Sequence, residues 1–333
     1  MRVLLSVLIV IVLAGSCAPP AWADLLVSSF DSFQVLRYDQ TTGAFLGAYA
    51  TGLPGDRPLG LTFGPDSNLY VGMNNFGPPF QSFVRRFDGG TGALIDTFAS
   101  GGGLLSPSHL VFGPDGNLFV ASFGGLAPNS RVIRYNGVTG AYMDDFVPIG
   151  SGGLSGAEGL IFGPDGNLYV TSRVTNQVLR YDGSTGAFLG VFASGGNNGP
   201  IDLVFGPDDN LYVLDSTAGL LNILRFDGVT GASLGVFVSR FSGGTDGSSL
   251  TFGPDANLYV TTGFLGNSVL RFDGSTGQFM DEFVPDGSGG LDYATDLQFF
   301  TPIPEPSTLT LLSVGLLSLL GCAGATRIQL RTS

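Results

Sequence analysis

Asp296-Leu297-Gln298-Phe299 stands near the end of the repetitive part of the chain and reads like Asp202-Leu203-Val204-Phe205 without the turn that comes after it. That turn belongs to a phrase, FGPDxNLYV with small variations, which begins at Phe63, Phe112, Phe162, Phe205 and Phe252. A second phrase, R(Y/F)(D/N)xxTG, begins at Arg37, Arg86, Arg134, Arg180, Arg225 and Arg271. Five copies against six is a mismatch. It disappears when Asp296 to Phe299 counts as a sixth copy of the element that leads into FGPD. The chain then starts partway through a repeat unit and supplies the missing piece at its end, as a closed ring requires.

One unit, residues 201–239, shows what repeats. Residues 201–205 form a short apolar strand, and Gly206-Pro207-Asp208-Asp209 carries the residues of a tight turn. Residues 210–214 form a second strand, rich in aromatic and β-branched types. Residues 222–226 alternate apolar with polar and read as a third, less buried strand. A turn at residues 227–231 leads to a fourth strand over residues 232–238. Nothing in the unit reads as a helix. Four antiparallel strands at this repeat length predict an all-β fold, a six-bladed β-propeller of four-stranded antiparallel blades. The first blade takes three strands from residues 24–50, and a C-terminal strand over residues 295–300 completes it. This closure places residues 296–299 beside residues 25–29 and removes the open edges. A β-solenoid is the alternative; its turns are usually shorter, and it needs no borrowed strand.

The Gly-Pro-Asp-x-Asn element has oxygens that suit Ca²⁺. Its residues also suffice for a structural turn: Pro fixes φ, Asp caps, and Asn or Gly tolerates positive φ. The repeated arginine is expected to pair with aspartate or to join blades.

Up-and-down connectivity puts the uniform GPDxN and DGxTG turns on one face of the disc. The variable second-to-third and inter-blade connections fall on the other, where binding surfaces usually form. The entrance to the central channel lies on that second face, at the start of each innermost strand. Three residues before the strand phenylalanine stand Gly60, His109, Gly159, Asp202, Ser249 and Asp296. One position earlier stand Leu59, Ser108, Glu158, Ile201, Ser248 and Thr295. Glu158, Asp202 and Asp296 are thus candidate oxygen ligands for Ca²⁺ or a related hard cation in the channel, with His109 and Ser249 at its mouth. The alternative is a ring of solvated residues around a water-filled channel. One histidine and two cysteines, Cys17 and Cys322, both outside the repeats, do not make a zinc site. No Ser-His-Asp arrangement can be assigned, and no phosphate-binding loop is present.

The formal charge is −13, every basic side chain is arginine, and no basic stripe is visible. These features argue against nucleic acid as a partner. With no cysteine in the repeats, the domain is expected to rely on packing alone.

The ends of the chain are read separately. Residues 1–23 have the form of a signal peptide: Arg2, an apolar stretch over residues 3–14, and Ala21-Trp22-Ala23 before a cleavage that leaves Asp24 first. Lipoprotein processing at Cys17 is the alternative. At the other end, Pro304-Glu305-Pro306-Ser307-Thr308 precedes an apolar run over residues 309–325, with Arg327 and Arg331 beyond it. Such a run reaches about 26 Å as a helix, enough for a thin bilayer, and the arginines hold its end on the cytoplasmic side.

IPEPSTLTLL and the remaining C-terminal residues resemble the PEP-CTERM sorting signal, although two spaced arginines stand where that family has a tight basic cluster. The resemblance covers residues 304–333 and implies an exosortase-like partner, transient inner-membrane anchoring, and a final place in the cell envelope, on the cell surface or in the extracellular matrix. PDGNLYV resembles NHL-type and gluconolactonase-like propellers, and VxRYDxxTG resembles quinoprotein-type repeats. Streptogramin lyases share such blades; they imply a catalytic histidine and a metal site, toward which only His109 matches. The expected organisation is a signal peptide (1–23), a propeller (24–303) and a sorting signal (304–333). The expected function is a non-enzymatic binding or structural module for a polysaccharide, peptide or protein at the envelope. A cation-dependent lyase or lactonase-like hydrolase is the alternative.

Overall fold

The computed structural model describes residues 24–124, 129–196, 199–217, 220–241, 247–263 and 266–300. The segments with the form of a signal peptide and a sorting signal, including residues 309–325, lie outside the described residues. Among the described residues, no helix is long and apolar enough to cross a membrane.

Six four-stranded antiparallel sheets form the blades. Blade 1 runs outward from Ala294–Phe300 through Asp24–Ser29 and Gln34–Asp39 to Phe45–Thr51. Blades 2 to 6 occupy residues 56–100, 107–147, 157–194, 200–241 and 247–284, each in simple sequence order. The borrowed strand pairs as its sequence implies: Leu25 opposite Phe299, Leu26 opposite Gln298 and Val27 opposite Leu297.

Closure is visible in the packing. The second strands, such as Leu118–Ser122 and Leu168–Ser172, are buried along their whole length because both sheet faces meet a neighbouring blade. The apolar side chains fall into six clusters, one at each blade boundary. The cluster joining the last blade to the first sets Tyr259, Val269 and Phe283 against Leu25, Leu36 and Leu297. An open array of six blades would have only five such boundaries.

Aromatic contacts set the blade spacing. In four of the five FGPD phrases the phenylalanine packs edge-on against the aromatic of the preceding blade's second strand. Phe112 meets Tyr70 at 4.9 Å, Phe162 meets Phe119 at 5.0 Å, and Phe252 meets Tyr212 at 5.0 Å. Phe299 does the same with Tyr259 at 4.9 Å, which confirms its place in the repeat. Blade 1 has the smaller Leu26 where the others have an aromatic. Phe300 packs in the same cluster there and stacks on Phe63 at 5.1 Å.

The repeated polar residues are structural at these turns. Asp66 accepts hydrogen bonds from the Asn68 backbone at 3.1 Å, the Asn68 side chain at 2.7 Å and the Tyr70 hydroxyl at 2.9 Å. The residue at positive φ is the variable one (Ser67, Gly116, Gly166, Asp209 or Ala256), not the asparagine. The arginines pair within their own blades, as Arg134 does with Asp144 and Arg271 with Asp281, both at 2.5 Å.

Candidate functional site at the channel mouth

Near its start each innermost strand breaks register with its neighbour, as between Pro107 and His109, Pro200 and Asp202, and Gly247 and Ser249. A bulge re-aims the side chains it contains. Around the ring the second bulge position runs Gly60, His109, Gly159, Asp202, Ser249, Asp296, so small residues alternate with large ones. The alternation has a steric cause. A Cβ on Gly60 would stand 2.6 Å from the His109 Cα, and one on Gly159 would stand 2.7 Å from an Asp202 oxygen. The axis thus admits three large side chains from alternate blades.

Those three converge. His109, Asp202 and Asp296 each offer one ligating atom, and the three atoms lie within 4.8 Å of one another. Both aspartates are buried, at 3 % and 2 % exposure. Part of their role is to join blades. The Leu250 N–H donates to Asp202 Oδ2 at 3.0 Å, and the Leu61 N–H donates to Asp296 Oδ2 at 2.7 Å, each from the next blade's bulge. Their other oxygens accept the Leu203 N–H at 2.9 Å and the Leu297 N–H at 2.8 Å.

Ser249 links the pair. Its Oγ stands 2.6 Å from Asp202 Oδ2 and 2.7 Å from Asp296 Oδ1. A hydroxyl has one proton, so both short contacts are hydrogen bonds only when one carboxyl supplies a second. Asp296 is suited to carry it. Burial, reinforced by the Asp202 charge, pushes its pKa up to about 6 against the opposing effects of His109 and its hydrogen bonds. His109 Nε2 is 3.8 Å from Asp202 Oδ1, while Nδ1 is buried with no hydrogen-bond partner among the described residues.

Glu158, at the first bulge position, lines the same cavity but turns to Arg173, whose Nη1 donates to Oε1 at 2.6 Å. Burial pushes the Glu158 carboxyl up from its ordinary value, and the Arg173 guanidinium opposes that. Other first-position residues bind backbone: Ser108 Oγ donates to the Glu158 carbonyl at 3.0 Å and Thr295 Oγ1 to that of Pro58 at 3.1 Å.

Above this floor opens a cavity of about 300 Å³ on the variable-loop face. Leu59 and Ile201 supply apolar wall, and Phe30, Phe123 and Tyr293 supply aromatic rim. The sequence reading grouped His109, Glu158, Asp202, Ser249 and Asp296; the structure brings His109, Asp202, Ser249 and Asp296 together and places Glu158 on the same cavity. The sequence reading missed Phe30, Asn74, Phe123 and Arg173, all of which line the cavity. A signal existed: all four occupy the same aligned position, five residues after the leucine that opens the second strand (Leu25, Leu69, Leu118 and Leu168).

No protein-family profile and no curated protein sequence matches the chain. Solved structures do. A chain of the nidogen/laminin complex superposes with a TM-score of 0.65 at 18% identity, covering 84% of this chain and 98% of that one. A protein of unknown function from Bacteroides caccae gives 0.59 at 13% identity, covering 84% and 99%. A catalytically inactive virginiamycin B lyase from Staphylococcus aureus, solved with quinupristin, gives 0.53 at 16% identity, covering 76% and 80%. At these identities the likeness is one of fold alone: this chain's six-bladed ring superposes on a chain of the nidogen/laminin complex and on a virginiamycin B lyase.

Proposed function

We propose that this chain is an exported, envelope- or surface-associated binding propeller, sorted by an exosortase-like system, whose partner docks on the variable-loop face over the channel mouth. The observation that carries the reading is the cavity, which has a polar floor, an apolar wall from innermost strands and an aromatic rim on the face of the loops that differ between blades. Its position supports a tethered module. Asp24 and Phe300 pair with each other at the uniform-turn end, so both ends of the propeller emerge on the face away from the cavity. The neighbour from a nidogen/laminin complex supports a protein partner for this fold.

Two measurements test the reading. Mass spectrometry of the protein from a strain with an exosortase is expected to find Asp24 at the N-terminus and residues 304–333 removed; retention of that tail refutes the sorting claim. Probing a surface extract with immobilised residues 24–303 is expected to capture a ligand that is lost on substituting Phe123 and Arg173. Capture unchanged by those substitutions places binding elsewhere.

The His109, Asp202 and Asp296 convergence favours a second reading, a cation-dependent lyase or lactonase-like hydrolase. The residues fit a hard cation in type. Each carboxylate already has three hydrogen-bond contacts of about four lone-pair sites, so each offers about one more, and His109 adds a nitrogen. Ca²⁺ takes six to eight ligands, leaving the remainder to water or substrate. Metal analysis of residues 24–303 that finds no bound cation, with no thermal shift on adding Ca²⁺, removes this reading.

A further inference from the structure

Electrostatics at the channel mouth select the chemistry of the occupant. The charged and titratable groups facing the cavity are His109, Glu158, Arg173, Asp202, Tyr293 and Asp296. Arg173 compensates Glu158 at 2.6 Å. Among the described residues, Asp202 and Asp296 have no arginine partner; the cationic candidate beside them is His109, at 3.8 Å from Asp202. Backbone N–H groups from four blades hold both carboxyl groups in place without adding a formal charge. A fixed negative floor beneath an apolar and aromatic wall is complementary to a cation on an apolar stem.

The surrounding face indicates what carries that cation. Phe76 and Phe80 are 55% and 45% exposed and pack together at 5.2 Å, and Phe76 lies 6.1 Å from Phe30 on the cavity rim. Leu53, Leu105 and Val174 stand exposed on other connections of the same face. Aliphatic side chains offer a sugar ring no stacking surface but are ordinary components of a protein interface. Resting on the binding-module reading, we infer that the channel mouth receives a lysine or arginine side chain from a loop of a partner protein, its charged head between Asp202 and Asp296 and its stem against Ile201 and Leu59. The Phe76–Phe80 pair covers the partner's flanking apolar residues.

The experiment uses residues 24–303, whose ring closes within residues 24–300, and NMR titration with Nα-acetyl-lysine amide, Nα-acetyl-arginine amide and the uncharged Nα-acetyl-norleucine amide. The expected result is a basic ligand binding at least tenfold tighter than norleucine, with shifts at the Leu61, Leu203 and Leu250 amides. That preference is expected to persist in His109→Gln, which leaves both carboxyl groups in place. Asp202→Asn with Asp296→Asn should abolish it. Because those substitutions also remove blade-joining hydrogen bonds, Ser248→Arg is the second variant. It leaves both carboxylates in place, fills the cavity with a tethered cation and should weaken lysine binding at least tenfold. Equal binding of norleucine, or a preference that survives Ser248→Arg, overturns the inference. Glucosamine and Ca²⁺ are titrated in parallel. If either binds at these amides while the basic amino acids do not, the inference fails and the cavity remains a binding site. If none of the five binds, the binding-module reading fails with it.

Discussion

Asp296, buried beside Asp202, makes the channel floor sensitive to pH. An Asp296 pKa of about 6, against an ordinary 3.8, means the folded protein favours the neutral acid. A raised folded-state value contributes stability in full below about pH 4 and loses it as pH rises through 6. The difference corresponds to about 3 kcal/mol. The turn aspartates act the other way. Asp88, Asp182 and Asp273 are held below the usual carboxylate range by hydrogen bonds from Thr91, Thr185 and Thr276, so their contribution is lost as pH falls below about 4. Urea unfolding measured from pH 4 to pH 6.5 should therefore show the midpoint declining in the wild type. In Asp296→Asn the decline should be smaller by most of that amount, whatever the offset from its lost hydrogen bond. Parallel profiles for the two proteins would show that Asp296 is ionised throughout.

At the scale of the element, the DGxTG turn shows how closely strand sequence and blade packing are coupled. Its first glycine lies against the GPDxN turn of its own blade: a Cβ on Gly228 would meet the Asp209 carbonyl oxygen at 1.8 Å, and one on Gly274 would meet that of Ala256 at 1.8 Å. Blade 1 has Gln40 at this position, and it is the blade whose first two strands are not joined by such a turn. Gly228→Ala is accordingly expected to cost about 2 kcal/mol or more, with backbone forced apart, while Gln40→Ala stays within about 0.5 kcal/mol. Chemical denaturation of the two variants checks both figures. The pairing of Gln40 with a missing turn was already written in the sequence, as were the strands, their order and the borrowed strand, because each repeats and can be compared with its copies. The polar floor was legible for the same reason. Arg173 as the partner of Glu158 was less so, because its identity occurs once and only its position repeats. The Phe30, Phe76 and Arg57 grouping was not legible, because it joins connections from two blades through cation–π contacts of 5.0 and 5.3 Å that no period predicts.

For the whole molecule, the strand Ala294–Phe300 both closes the ring and delivers Asp296 to the channel, so stability and site are coupled through one segment. Deleting residues 294–300 would expose the Asp24–Ser29 edge and open the boundary between blades 6 and 1, removing Ala294 and Leu297 from its core. Covalent connection of that strand to its present neighbour in sequence is a separate matter. Asp24 and Phe300 already pair, and in the other blades the equivalent positions are joined by a Pro-Asp-x turn. A permuted chain beginning at Ala294, passing from Phe300 through Pro-Asp-Gly into Asp24 and ending at Tyr293 should therefore form the same six blades. It should not do so equally well with the native side chain at position 40. The new turn would occupy the space that the Gln40 position lacks a glycine to accommodate, since in blades 2 to 6 that glycine abuts a turn carbonyl within 1.7 to 1.8 Å of a would-be Cβ. The expected order of melting temperature is the permutant carrying Gln40→Gly above the permutant without it, by about 5 °C or more, whereas in the unpermuted chain Gln40→Gly changes little. Differential scanning calorimetry of the four proteins measures the coupling directly. Equal effects of Gln40→Gly in both backgrounds would mean that position 40 is indifferent to the turn, and that the five glycines answer to some other constraint.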